Sequence, residues 1–168
     1  MNIPKRYAQV KYDDVPENIK EALKDLQNKG LYLYGAVGTG KTHIAYAIYQ
    51  KSNEQVMNYV LFFNTTELLY GLRKDIDKEP VDRWNEDEKI MKHQGIVILD
   101  DIGAEKISDW VSERFYLIVN KRYENMYPTI FTSNFPIKEL ANKIGDRTAS
   151  RIVEMCNIVE LTGEDKRI

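Results

Sequence analysis

The stretch Gly35-Ala36-Val37-Gly38-Thr39-Gly40-Lys41-Thr42 constrains this chain more than any other. It follows the apolar run Leu31-Tyr32-Leu33-Tyr34 and precedes an Ala-rich segment, His43 to Tyr49, whose pattern is helical. Strand, glycine loop, Lys-Thr and helix is the order that a phosphate-binding P-loop requires. Glycines let successive backbone N–H groups turn inward without a side-chain clash, so they can cradle phosphate oxygens. A helix starting at Lys41 adds its unsatisfied N–H groups and the positive end of its dipole. Lys41 is then placed to neutralise β- and γ-phosphates and the Thr42 hydroxyl to ligate Mg²⁺, with His43 closing the nucleotide-binding run. The bland alternative is a Gly-rich turn that binds nothing.

A P-loop needs a sheet to hold it, and the periodicity supplies one. Residues 1–15 form a polar arm with two tyrosines, Tyr7 and Tyr12. Pro16 opens a helix with Ile19, Ala22, Leu23 and Leu26 on one face, and Gly30 is expected to end it. After the P-loop helix, Tyr59 to Phe63 reads as a second strand. Thr65-Thr66-Glu67 is expected to cap a helix carrying Leu68, Leu69 and Leu72, and Lys78-Glu79-Pro80 interrupts that pattern. Ile96-Val97-Ile98-Leu99 is a continuous apolar run, as expected of a buried parallel strand. Ile107 to Tyr123 reads as a helix and Pro128 to Thr132 as a strand. Two short helices, Pro136 to Lys143 and Asp146 to Met155, precede a fifth strand, Asn157 to Leu161. Strands alternating with helices imply one α/β domain over residues 1–168, a five-stranded parallel sheet covered on both faces.

Composition narrows the partners. The length of 168 residues suits one domain with a real core, and the net charge of −2 gives no global basic field for nucleic acid. Any DNA contact must come from a local patch. The single Cys156 excludes an internal disulfide and suits a reducing cytosol. No apolar run reaches membrane-spanning length, so no membrane partner is expected. With one Cys and two His the chain offers no metal-ligand cluster, so a bound metal should arrive with the nucleotide.

Hydrolysis of ATP needs more than a P-loop. The apolar strand Ile96 to Leu99 ends in Asp100-Asp101, at the edge where open parallel sheets bind ligands. Asp100 is placed to hold Mg²⁺ through its water shell, and Asp101 to orient the lytic water. Solvated acids at a strand end are the alternative. Asn134 closes the strand tip Thr132-Ser133-Asn134, where a neutral amide can bind both water and a γ-phosphate oxygen. Asn is also an ordinary turn former there.

Gly35 to Thr42, Ile96 to Gly103, Thr132 to Asn134, Gly145-Asp146-Arg147-Thr148-Ala149-Ser150-Arg151-Ile152 and Gly163 to Arg167 stand in one order along the chain. In these motifs the chain resembles the AAA+ ATPases of the DnaC/DnaI helicase-loader and IstB family. The resemblance implies a P-loop NTPase (AAA+) three-layer α/β/α sandwich, with ATP and Mg²⁺ as cofactors. It matches Asn134 to the sensor 1 position and Arg151 to an arginine finger reaching a neighbouring subunit's nucleotide. Arg147, one turn earlier on the same face, is a second candidate, and Arg167 is the nearest to a sensor 2 arginine. A surface ion pair, Arg151 with Glu154, is the structural alternative.

Two departures qualify the match. Many AAA+ proteins carry Glu where Asp101 stands, which bears on the efficiency of hydrolysis. The resemblance also implies a short, phage-type form, without the N-terminal helicase-binding domain of full-length loaders or the separate helical lid. Residues 65–93 exceed a plain crossover and match the extra helix of the initiator and loader branch, which lines a path for single-stranded DNA. Arg73, Lys74, Lys78, Arg83, Lys89 and Lys92 could contact phosphates there, but seven interleaved acids make a solvated face the rival.

The resulting expectation is an ATPase of DNA replication, an ATP-dependent homo-oligomer acting on a replicative helicase and single-stranded DNA. The alternatives are an IstB-like transposition ATPase and a nucleotide-gated adaptor with weak hydrolysis. A small-molecule kinase is disfavoured, because nothing resembles a substrate lid with clustered arginines.

Overall fold

The computed structural model describes residues 3–55, 60–74, 86–105 and 108–163. Five strands, β1 (Gly30–Tyr34), β2 (Val60–Asn64), β3 (Ile96–Ile102), β4 (Thr129–Ser133) and β5 (Cys156–Glu160), form one sheet in the order β2-β3-β4-β1-β5. Every neighbouring pair is parallel. The helices are α1 (Glu17–Leu23), α2 (Lys41–Gln55), α3 (Thr65–Lys74), α4 (Glu86–Lys92), α5 (Asp109–Glu124), α6 (Ile137–Ile144) and α7 (Asp146–Met155).

The period of two along each strand sorts apolar side chains between two cores. Leu31, Leu33, Val60, Phe62, Ile96, Ile98 and Ile130 pack with α1 and α2 on one face. Tyr32, Val97, Leu99 and Phe131 pack with α3, α4, α5, α6 and α7 on the other. The result is the expected three-layer α/β/α arrangement. In α2, the residues Ile44, Ala45, Ala47 and Ile48 are all buried, so the P-loop helix is laid firmly on the sheet. Its start at Lys41 is where the motif put it.

Several local expectations need correction. Gly30 does not end the first helix. That helix stops at Leu23, a run of turns follows, and Gly30 is the first residue of β1. A Cβ at Gly30 would lie 2.1 Å from the Thr129 carbonyl, so β4 approaches too closely for any side chain. The cap of α3 is Asn64, whose side-chain oxygen accepts from the Glu67 amide at 3.1 Å, and Thr65 is instead a buried helical residue. Helix α5 is capped by Ser108, which accepts from the Val111 amide at 3.3 Å. Tyr59, Ile107 and the Lys78-Glu79-Pro80 break lie outside the described residues.

The arm is folded rather than trailing. Two short 3-10 turns, Lys5–Tyr7 and Tyr12–Asp14, carry it along α2. The Tyr7 ring stacks on Tyr46 with centroids 4.5 Å apart, and Tyr46 stacks on Phe62 at 4.3 Å. The Gln50 side chain donates to the Tyr7 carbonyl at 3.1 Å. This aromatic column fastens the arm to α2 and through it to β2. Burial pushes the Tyr46 hydroxyl up to about 12, helped by the nearby Asp100 carboxylate.

Candidate functional site

After β1 the chain turns through residues 35–40 into α2. Gly38 and Gly40 have φ of 85° and 100°, backbone that only glycine adopts without strain. The Thr39 hydroxyl donates to the Ala36 carbonyl at 2.9 Å and closes the loop. Lys41, only 7% exposed, donates its ammonium to the carbonyls of Gly35 (2.8 Å) and Ala36 (2.7 Å). Its charge is thereby held inside the loop at the head of α2. Val37 projects outward, 58% exposed.

Asp100 is 3% exposed at the end of β3. Its carboxylate accepts from the Thr42 hydroxyl at 3.1 and 3.2 Å and from the Thr132 hydroxyl at 2.6 Å. Burial raises its pKa, while the two hydroxyls and the Lys41 charge pull it back down. A buried carboxylate beside the P-loop hydroxyl is an all-oxygen donor pair, which suits hydrated Mg²⁺. Among the described residues no three His, Cys, Asp or Glu side chains converge on one point.

Consecutive strand residues face opposite sides of a sheet, so Asp101 should point away from Asp100. It does not. The register between β3 and β4 shifts between Leu99, opposite Phe131, and Ile102, opposite Ser133, a bulge of one extra residue on β3. Asp101 takes a φ of 62°, a left-handed conformation that Asp tolerates better than most residues. The Thr132 hydroxyl accepts from the Asp101 amide at 2.8 Å, and the Asn134 side-chain amide donates to the Asp101 carboxylate at 3.0 Å. Thr132 thus fixes both aspartates, as acceptor for one amide and donor to the other carboxylate.

These groups line a cavity of about 430 Å³. Val37, Gly38, Gly40, Lys41, Thr42 and His43 form one wall, and Asp101, Thr132 and Asn134 another. The third wall comes from the arm, with Tyr7, Val10, Lys11 and Asp14 at the mouth and Leu161 beside them. His43 also meets the edge of the Tyr7 ring at 4.9 Å. The sequence leads to an expectation that the arm before Pro16 contacts the base but to no single residue of it, and Thr132 is not singled out. An arm has no periodicity to betray its packing, and Thr132 looked like one more β-branched strand residue. Its polar neighbours Ser133 and Asn134 were the available signal.

Arg147 and Arg151 do not line this cavity on their own chain. Both stand on α7, where Arg147 is exposed and Arg151 half-buried. The Arg151 guanidinium lies over the rings of Tyr116 and Tyr123, 5.1 and 5.7 Å from their centroids. It donates to the Arg147 carbonyl at 3.1 Å. Glu154, the ion-pair partner offered by the sequence, instead acts on the Tyr123 hydroxyl, whose pKa it raises.

The basic residues of 65–93 divide in two. Lys89 pairs with Glu86 at 3.4 Å and Lys92 with Glu88, both within α4, as a solvated helical face requires. Arg73 lies over Trp110 at 5.4 Å and Lys74 over Tyr70 at 4.5 Å, both at the C-terminal end of α3. Lys78 and Arg83 lie outside the described residues, as does Arg167.

Comparison with known proteins agrees with this fold. The replicative helicase loader DnaI of Bacillus subtilis is 27% identical over 177 residues, covering 98% of this chain and 55% of the loader. The chain spans about half the length of the curated relatives it matches. The crystal structure of the DnaC helicase loader superposes with a TM-score of 0.81 at 25% identity, over 95% of this chain and all of that one. The replication initiator DnaA bound to AMPPCP and single-stranded DNA shares the fold, with a TM-score of 0.78 at 20% identity over 98% of this chain and 52% of that one. No helix among the described residues is long and apolar enough to cross a membrane. A family model described as IstB-like ATP binding protein matches residues 21–168, and the chain, an α/β protein of the AAA+ P-loop fold, belongs to that family.

Proposed function

We propose that this chain binds ATP with Mg²⁺ in the cavity between the P-loop, the strand tips and the arm, and hydrolyses it within an assembly of like chains. The observation that carries the reading is the convergence of Lys41, Thr42, Asp101 and Asn134 around one cavity, with Asp100 buried directly behind Thr42. Lys41 and the backbone of Gly38 to Thr42 hold the phosphates. Thr42 and Asp100 hold Mg²⁺, which supplies charge neutralisation for the phosphoryl group. Asn134 holds Asp101 in place, and Asp101 orients the water whose oxygen bonds to the γ-phosphorus. The bond from that phosphorus to the bridging oxygen breaks, ADP takes the released electron pair, and Asp101 takes up the water's proton. Tyr7, Val10 and Asp14 flank the base and ribose.

Arg147 and Arg151 stand off the cavity, which supports action on a neighbouring chain's nucleotide. Arg151 then serves as the cation that offsets transition-state charge. Likeness to a replicative helicase loader supports a role in DNA replication, on a replicative helicase and single-stranded DNA. Residues 65–93, with Arg73 and Lys74, are the segment proposed to meet the strand, in a cytoplasmic setting. The family description also favours a second reading, an IstB-like transposition ATPase with the same site and a transposase as partner. Copurification with a helicase or with a transposase separates them.

The test has two parts. Lys41→Ala abolishes ATP binding in a fluorescent-nucleotide titration, and unchanged binding rejects the site. Arg151→Ala keeps binding but slows single-turnover hydrolysis, and mixing it with Asp101→Asn chains restores turnover. A slow rate that no mixture restores rejects action in trans.

A further inference from the structure

Two arginines of this fold are held in different ways. Arg122 is fully buried, and its guanidinium donates to five acceptors: Thr129 Oγ1 and the carbonyls of Ile90, His93, Gly95 and Pro128, at 2.7 to 3.0 Å. It holds the chain around it and has nothing left to offer a ligand. Arg151 makes one such bond, from Nη1 to the Arg147 carbonyl, and its Nε is buried with no acceptor. A buried N–H with no acceptor is costly to keep unless one arrives.

What confines Arg151 is aromatic. Tyr116 and Tyr123 are seven residues apart on α5 and so share one face, and the guanidinium lies over both rings. Helix α5 packs against α7, which sets the second ring beside the helix that carries Arg151. Tyr116 also lines a shallow groove with Glu113, Asp146 and Arg147. Two ring faces restrict a planar cation to one plane while leaving its N–H edge able to donate, which a carboxylate partner would not.

Resting on the trans-acting role proposed for Arg151, we infer that Tyr116 and Tyr123 are positioning residues for that role. They form a cradle on the face of α5 and α7 that presents Arg151 to the nucleotide of a second copy of this chain. The rings touch neither ATP nor the reacting atoms. They act by reducing the orientations that the guanidinium must give up when the neighbour's γ-phosphate approaches.

The experiment uses the full chain with ATP and Mg²⁺. The double variant Tyr116→Leu/Tyr123→Leu should bind a fluorescent ATP analogue as wild type does, yet hydrolyse ATP about tenfold more slowly in single turnover. Tyr116→Phe/Tyr123→Phe keeps both ring faces and should keep the wild-type rate. Mixing the leucine variant with Asp101→Asn chains, whose own Arg151 and cradle are intact, should restore turnover. A wild-type rate in the leucine variant alongside a slow Arg151→Ala overturns the cradle and leaves the arginine's role standing. A wild-type rate in Arg151→Ala, or no turnover by the wild-type chain, overturns both. A leucine variant that stays slow in every mixture also overturns the inference, because its defect then lies in its own site.

Discussion

Asn134 donates its side-chain amide to the Asp101 carboxylate at 3.0 Å, joining the tip of β4 to the tip of β3. Both side chains line the same cavity, and the neutral amide orients the acid without cancelling its charge. Asp101 thus reaches the cavity on a left-handed backbone and is kept there by its neighbour strand.

Asn134→Ala should slow single-turnover ATP hydrolysis by about 10²-fold, the usual loss for a preorganised polar group at a transition state. ATP affinity should stay within error in a fluorescence titration. A matching loss of affinity would make Asn134 a binding residue instead.

Asp100→Asn should separate stability from activity. Burial raises the folded-state pKa of Asp100 above its unfolded value, so the ionised carboxylate costs stability. That cost is absent below the unfolded pKa, grows as pH rises, and is fully present above the folded pKa. At neutral pH the neutral amide should therefore leave the nucleotide-free protein as stable or raise Tm by about 2 °C. Mg²⁺-dependent hydrolysis should be lost. A Tm several degrees lower in calorimetry would show that the carboxylate's bonds to Thr42 and Thr132 outweigh its burial.

Tyr7→Ala removes the ring that fastens the arm on Tyr46. A stacked pair contributes about 0.5–1.5 kcal/mol, so ATP affinity should weaken about two- to tenfold as the arm wall loosens. Inorganic triphosphate, which needs only the P-loop, should bind unchanged in calorimetric titration. Equal losses for both ligands would place the effect of Tyr7 on the P-loop itself, through His43.

Arg122→Met leaves four backbone carbonyls and Thr129 Oγ1 without their buried donor. The loss should reach at least about 3 kcal/mol in denaturant unfolding, with Tm lower by roughly 6–12 °C. Burial already pushes the Arg122 pKa down to about 10, still high enough for a full charge at neutral pH. A near-neutral substitution would mean that the carbonyls find other donors.

Much of this molecule was legible because its signals are local. The P-loop dictated its own loop geometry, since the φ values of Gly38 and Gly40 and the start of α2 at Lys41 follow from residue type over eight positions. The continuous apolar run marked β3 as a buried parallel strand, and α7 begins and ends where its pattern puts it. Arg122 was not read from the sequence, although its place offered a signal. It follows Phe115, Ile118 and Val119 at the next position of the same buried face, where a charge demands acceptors.

The rest needed distant residues to meet. Asp100-Asp101 was readable as an acidic strand tip, but strict alternation would have turned one of the pair away. Only the bulge against β4, held by Thr132, brings Asp101 round to the cavity. The arm carried no periodicity, and its place at the cavity mouth was decided by the stack of Tyr7 on Tyr46 and Phe62. Gly30 looked like a helix end until Thr129 filled the space beside it. Sequence alone determined that this chain builds a phosphate cradle on a parallel sheet, because backbone freedom and side-chain period are properties of near neighbours. Which acids face the cradle, what walls it, and which arginine keeps free donors were decided by contacts between segments far apart in the chain, which no local pattern encodes.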